Sequence, residues 1–178
     1  MHQSVLLQES IENLNLKENS IIVDATLGYA GHSSEILKRI PKGKLIAFDQ
    51  DDEAIDASKK RLDQIASNYQ IIKSNFVHLK EELEKNNIKQ IDGILFDLGV
   101  SSPQLDEDYR GFSFHKDAIL DMRMDTSNPV SAYNVVNEYS KEQLMNIFYQ
   151  YGEEKYSNSI ASKIVEYRKN KKIETTLE

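Results

Sequence analysis

Three positions in this chain pair a chemically useful side chain with an apolar run that could hold it in place. Asp97 follows Ile91-Asp92-Gly93-Ile94-Leu95-Phe96 and opens the stretch Asp97-Leu98-Gly99-Val100-Ser101-Ser102-Pro103-Gln104-Leu105-Asp106. A short, nearly continuous apolar run reads as a buried parallel strand, and open α/β sheets bind ligands just beyond the carboxyl ends of such strands. Asp97 can take a proton there, or it can simply orient a ligand or cap a turn. Ile21-Ile22-Val23-Asp24 leads into the small-residue turn Ala25-Thr26-Leu27-Gly28-Tyr29-Ala30-Gly31-His32-Ser33, and Leu45-Ile46-Ala47-Phe48 delivers Asp49, 21 positions after Gly28. Strand, glycine turn, helix, strand and acid make up the plan of a nucleotide-cofactor site. The glycines let backbone approach the ligand, and the acid accepts hydrogen bonds from ribose hydroxyls. His32, at a helix start, reads as a donor to a bound carboxylate or a local cap rather than a general base.

The elements that position these residues alternate. A helix is expected from Ser34 to Ile40, another from Asp52 to Gln64 with Ile55, Leu62 and Ile65 at helical spacing, a strand at Tyr69–Ile72, a helix marked by Leu79 and Leu83, and a strand from Ile91 to Phe96. This pattern predicts a parallel, doubly wound sheet with a cofactor-binding domain over residues 1–100. Residues 101–130 have no clear period, and residues 101–178 read as a substrate-side loop and the start of a helical insertion. Ser140-Lys141-Glu142-Gln143 is a capping box ahead of Leu144, Ile147 and Phe148, with Gly152 as the stop. A further helix carries Ile160, Ile164 and Val165, and Ile173–Glu178 reads as one more helix being capped. Four strands followed only by helices suggest part of a larger fold. Such a part would expose an edge beyond the Asp97 strand, inviting a homodimer or aggregation and lowering stability relative to a longer chain.

Composition narrows the classes. A chain of 178 residues, 39% hydrophobic and 29% charged, suits one domain or one domain plus a small insertion. It has no apolar run long enough to span a bilayer, and its start lacks the marks of a signal peptide, so a cytoplasmic protein away from membranes is expected. With no cysteine there is no disulfide, thiolate zinc site or cysteine nucleophile. A net charge of -7 argues against binding nucleic acid by overall electrostatics. Lys38, Arg39, Lys42 and Lys44, and Arg168, Lys169, Lys171 and Lys172, are local basic clusters that read as solvated helix ends. Asp49-Gln50-Asp51-Asp52 opens like a calcium loop but lacks its glycine and closing glutamate, and no metal is expected.

Taken in order, these motifs resemble the bacterial 16S rRNA (cytosine-N4)-methyltransferase family. The resemblance spans nearly the whole chain: His2 with Val5-Leu6-Leu7 and Glu9, Asp24 through Ser33, Asp49-Gln50-Asp51, Asn75-Phe76, Asp97 through Asp106, Arg110-Gly111-Phe112-Ser113-Phe114, Leu120-Asp121-Met122-Arg123-Met124, Asn137, and Tyr151-Gly152-Glu153-Glu154. It implies a Rossmann-like class I methyltransferase sheet, of which the first four strands are present, with a helical insertion lobe, and S-adenosylmethionine as cofactor. It implies the small ribosomal subunit and its 16S rRNA as partners. By position it assigns Ala30, Gly31 and His32 to the methionine end of the cofactor, Asp49 to the ribose, Phe76 to the adenine, and Asp97 and Gln104 to the rim nearest the methyl. An acid and a planar ring are also what a nucleoside needs on chemical grounds. The chain departs from the family at Ser4, where proline is usual, and at Ala30, where a glycine is usual. Alanine resists positive φ, which predicts a slightly displaced turn.

The implied reaction joins a poor nucleophile, an exocyclic amine conjugated with its ring, to a methyl that leaves readily from a sulfonium. Asp97 is then the candidate to draw out the amine's lone pair and take its proton. In the irregular segment, Arg110, Phe112 and Arg123 are candidates to hold RNA, since extruded bases stack on aromatics and phosphates meet arginine. The alternatives are that Phe112, Phe114, Met122 and Met124 bury the loop and that Asp106 or Asp121 pairs with the arginines. Two other functions are open: a fragment that binds cofactor or RNA without turnover, and an NAD-dependent oxidoreductase. The second would need Gly-x-Gly-x-x-Gly, which Gly28-Tyr29-Ala30-Gly31 does not supply.

Overall fold

A computed structural model describes residues 4–178; His2, quoted in the family motif, lies outside the described residues. The chain divides into two compact units, residues 1–101 and 102–178.

In the first unit β1 (Ile21–Asp24), β2 (Lys44–Asp49), β3 (Tyr69–Lys73) and β4 (Gly93–Leu95) form a parallel sheet in the order β3-β2-β1-β4. The helices α1 (Leu7–Asn13), α2 (Gly31–Arg39), α3 (Asp52–Leu62) and α4 (Leu79–Lys85) cover it. Alternation along the central strands feeds two cores. Ile22, Leu45 and Ala47 pack with Ile11, Ile36, Leu37, Ile40 and Leu62 in one, and Val23, Ile46 and Phe48 pack with Ile72 and Leu83 in the other. Burial on both faces is why β1 and β2 read as unbroken apolar runs. This is the expected Rossmann-like α/β arrangement. The direction of winding reverses between β1 and β4, and that switch point is where such sheets open a ligand crevice.

Some details differ from expectation. The run Ile91–Phe96 yields only the three-residue β4, half-buried at Gly93 and Ile94 and buried at Leu95; among the described residues it pairs with β1 alone, the edge expected beyond the Asp97 strand. Asp92 spends its carboxylate on the Ile21 amide (2.7 Å) instead of extending the strand. Helix α3 stops at Leu62, and its buried stripe is Ala54, Ser58 and Leu62.

The second unit holds α5 (Ser102–Asp106), a 3₁₀ turn at Asp108–Arg110, irregular chain to about Val130, then α6 (Ala132–Glu138), α7 (Lys141–Gly152) and α8 (Ser157–Tyr167). Capping boxes start α6 at Ser131/Asn134 and α7 at Ser140/Gln143. Helices α7 and α8 pack together, with Leu144 and Ala161 fully buried. Gly152 is not the helix stop: it is the last helical residue, and Glu153 takes the left-handed conformation (φ 51°) that ends α7. Residues 173–178 are not a capped helix either. They run alongside residues 118–120, with Leu120 N bonded to Glu174 O (3.0 Å) and Thr176 N to Ala118 O (2.9 Å). Ile173 is held there because Asn137, buried on α6, donates to its carbonyl (2.7 Å) and accepts from its amide (3.0 Å). No helix among the described residues is long and apolar enough to cross a membrane.

Candidate functional site

At the carboxyl end of the sheet, the loop after β1 is tied to each neighbouring element. Ala25 N reaches Leu95 O of β4 and Leu27 N reaches Phe48 O of β2, both at 2.9 Å. Gly28 N donates to Asp49 Oδ2 (2.7 Å), and Gly28 O accepts from Ser58 Oγ on α3 (2.6 Å). Ser58 thus explains the hydroxyl in the buried stripe of α3, a polar residue four positions from Ala54 and from Leu62. Gly28 has φ 50°, and nothing lies within 4 Å of where a Cβ would stand, so the turn borders open space.

Ala30 caps α2 with φ 58°. The strain expected of alanine is absorbed at Ala30 itself, in a left-handed conformation that costs an L-residue about 1–2 kcal/mol. Gly31 follows because residue 4 crosses directly over it: a Cβ there would collide with Ser4 Oγ.

Four carboxylate and imidazole groups line this end. Asp24, at the tip of β1, is buried and accepts from Ser33 Oγ (2.6 Å) and Thr26 N (3.1 Å). Burial pushes its carboxyl above the ordinary value, against the pull of those hydrogen bonds and of His32. Asp49 accepts from Gly28 N on Oδ2 and from Gln50 N (2.8 Å) and Asp51 N (3.0 Å) on Oδ1. Burial raises it as well, opposed by those amides. Oδ2, with a single amide partner, retains accepting capacity for a ligand hydroxyl. Asp97 stands just past β4; its amide donates to Thr26 Oγ1 (2.7 Å), and its carboxylate is about half exposed. His32, nearly enclosed, sets Nε2 3.1 Å from Val5 O and Nδ1 3.8 Å from Asp97 Oδ2. Asp51 is the N-cap of α3, accepting from Glu53 N, and Asp52 pairs with Lys73.

Phe76 sits in a 3₁₀ turn after β3, entered through Asn75, whose side chain accepts from Val77 N (3.0 Å) and donates to Gln50 (3.1 Å). Its ring meets Phe96 edge to face at 5.7 Å, and both rings are partly exposed. Phe96, which the sequence placed only as the last residue of a strand, is thus a further candidate at this end. Thr26 and the Asp24–Ser33 pair were missed as well; only their nearness to the glycine turn could have marked them.

Six of the seven cofactor-side residues, Ala30, Gly31, His32, Asp49, Phe76 and Asp97, therefore stand at one end of one sheet. Gln104 belongs to α5 in the second unit, where it is buried. The substrate-side candidates share the loop of that unit. Arg110 is buried, its Nη2 donating to the carbonyls of Arg123 (3.0 Å) and Met124 (3.3 Å), with its guanidinium 5.9 Å from the Phe112 ring centre. Arg123 forks onto Asp121 (2.8 and 2.7 Å), and its Nη1 caps Thr126 O and Asn128 O. The fold thus uses both arginines to shape the loop, with Asp121 as the partner that sequence reasoning had offered beside phosphate binding. Gly111 (φ 71°) allows it, since a Cβ there would strike Ile119 O. Phe114 and Met122 are exposed and do not bury the loop. In the basic clusters, Lys38 and Arg39 pair with Glu35, Lys42 with Glu18, and Lys169 with Glu166, while Arg168 caps Val136 O and Tyr139 O.

A parallel sheet of this order, with a glycine turn after β1 and an acid at the tip of β2, places the chain in the Rossmann-like class of α/β proteins. The profile of the MraW methylase family matches residues 1–178, and the chain belongs to that family. It is 56% identical over 177 residues to ribosomal RNA small subunit methyltransferase H of Exiguobacterium sibiricum, a match covering 99% of this chain and 57% of that protein. The chain thus spans little more than half the length of this relative. Among solved structures it is similar to an rRNA methylase from Streptococcus thermophilus (TM-score 0.46, 21% identity, 71% of this chain and 78% of that one). It is also similar to NSun6 from Pyrococcus horikoshii (TM-score 0.45, 20% identity, 55% and 24%).

Proposed function

We propose that this chain carries the cofactor-binding part of an S-adenosylmethionine-dependent enzyme that methylates the N4 amine of a specific cytidine in 16S rRNA of the small ribosomal subunit, in the cytoplasm. The observation that carries the reading is the meeting of the Gly28 turn, Asp49, Phe76 and Asp97 at one sheet end, in a chain of a methylase family. The residues present fit the cofactor. The open side of Gly28 admits a ligand close to backbone, Asp49 has accepting capacity left for a ribose hydroxyl, and Phe76 offers a ring for adenine. When bound, S-adenosylmethionine supplies an electrophilic methyl on a sulfonium. In this reading Ala30, Gly31 and His32 would hold the methionine end, as the family resemblance assigns them. Asp97, pinned through its amide to Thr26, holds an accessible carboxylate that can accept a hydrogen bond from the amine and then its proton. Placement of nitrogen and methyl in line can contribute on the order of 7 to 11 kcal/mol. On the RNA side, Phe112 is a ring for a base, while Arg110 and Arg123 hold the loop that presents it.

Calorimetric titration with S-adenosylmethionine, with NAD in parallel, tests the cofactor. Saturable binding of the first that is lost in Asp49→Ala is expected; binding of NAD instead overturns the reading. Methyl transfer to isolated small subunits, with the label recovered as N4-methylcytidine, tests the reaction, and label on another nucleoside overturns it. A chain spanning 57% of its relative's length favours one second reading, cofactor binding without turnover, which binding without transfer would select.

A further inference from the structure

The imidazole of His32 is engaged on both sides. A carbonyl oxygen can only accept, so the nitrogen 3.1 Å from Val5 O, Nε2, is the one that carries hydrogen. The neutral ring then has its lone pair on Nδ1, and Nδ1 faces Asp97 Oδ2 at 3.8 Å. Two acceptors face each other with no hydrogen between them, an arrangement that has room for one proton. The ring is 7% exposed and the carboxylate 47%, so Asp97 meets whatever enters the crevice and His32 stands behind it. The segment that sets the tautomer is itself seated, since the Ser4 side chain fills the space over Gly31 at the start of α2.

The geometry points to His32 as the proton-holding partner of Asp97 in methyl transfer, a role that rests on the function proposed above. As the amine nitrogen bonds the methyl carbon, the carbon–sulfur bond breaks and leaves its electron pair on sulfur. The nitrogen's proton passes to the Asp97 carboxylate and from there to His32 Nδ1. The product is an imidazolium whose Nε2–H stays on Val5 O, and the proton returns to water through the exposed carboxylate. An ordinary imidazole nitrogen holds a proton more tightly than an ordinary carboxylate, by about 2–3 pK units, so the proton favours the ring over the acid. A movement of about 1 Å brings Nδ1 and Oδ2 to hydrogen-bond distance. His32 is thus a positioning residue acting through Asp97. This differs from the cofactor-carboxylate donor expected of it, because Nε2 is already given to Val5.

Three sets of charges bear on the ring: Asp97 after β4, Asp24 at the tip of β1, and on α1, which packs against α2, the exposed Glu9 and Glu12. Nitrogen-15 NMR of the imidazole in the 178-residue chain tests the pair without any activity. The Nε2–H tautomer is expected, with the Nδ1 resonance displaced in Asp97→Asn, whose amide can donate to it, and little changed in Asp24→Asn. The Nδ1–H tautomer, or an Nδ1 resonance unmoved by Asp97→Asn, overturns the proposal. In transfer assays, His32→Gln keeps a donor for Val5 O but has no base at the Nδ1 position. At saturating cofactor its single-turnover rate should fall roughly 100-fold. A full rate, or a loss confined to cofactor affinity, overturns the role. If the wild-type chain binds cofactor yet transfers no methyl, the reaction reading fails and the NMR result alone decides whether the pair exists.

Discussion

Ala30 shows how much rests on single residues of the turn. It is fully buried and left-handed, so a β-branched side chain would meet both crowding and a backbone conformation it resists. Ala30→Val should lose about 2–3 kcal/mol in denaturant melts. Asp49→Asn would set an amide donor against one of the backbone amides Asp49 now accepts. It should cost roughly 1–3 kcal/mol and weaken binding of S-adenosylmethionine in the same titration. Asp24 predicts a pH effect. Its folded-state value lies above 3.8, so keeping it ionised costs stability, a cost absent below that value and fully present once the pH exceeds the raised one. Asp24→Asn carries no such cost, and its stability relative to the wild type should therefore rise from acid to neutral pH in paired melts. Asp49 and Asp97 were legible as candidates because strand, turn and acid have a fixed spacing. Their partners were not, since Thr26, Ser58 and the Val5 carbonyl become neighbours only when distant segments meet.

At the scale of elements, the strands and the helices between them were legible because burial on both faces of β1 and β2 leaves an unbroken apolar signature. Besides the five-residue α5, two helices, α1 and α6, were not anticipated. Each is seven residues long, too short for a periodicity to stand out, although Ser131 and Asn134 form a capping box that could have marked α6. The chain after α8 was misread because its conformation is imposed from outside: Asn137 supplies both hydrogen bonds that a neighbouring strand would. Asn137→Ala should leave the buried amide and carbonyl of Ile173 without partners. The expected loss is roughly 2–4 kcal/mol, with faster hydrogen exchange at Ile173.

Over the whole molecule, acid acts on the two units with opposite sign. In the first, burial raises Asp24 and Asp49, so protonation favours the folded form, and Glu35, lowered by Lys38 and Arg39 on an exposed helix face, works against this. In the second, Asp121 is lowered chiefly by Arg123, Glu178 by Lys171, and Glu142 at the start of α7. Stability from these is present above their ordinary values and lost as the pH falls through the lowered ones. Hydrogen exchange followed by mass spectrometry during acidification should therefore show residues 102–178 opening before residues 4–101. The sequence alone determined the parallel α/β plan, the glycine turn, the acid 21 residues on and the family, because each is written in local spacing and in the burial of whole strands. Only the tertiary structure decided that β4 keeps three residues of its apolar run, that the loop arginines support the chain instead of standing free, and that a buried imidazole faces Asp97. Those outcomes depend on which segments, far apart in the chain, compete for the same hydrogen-bonding groups.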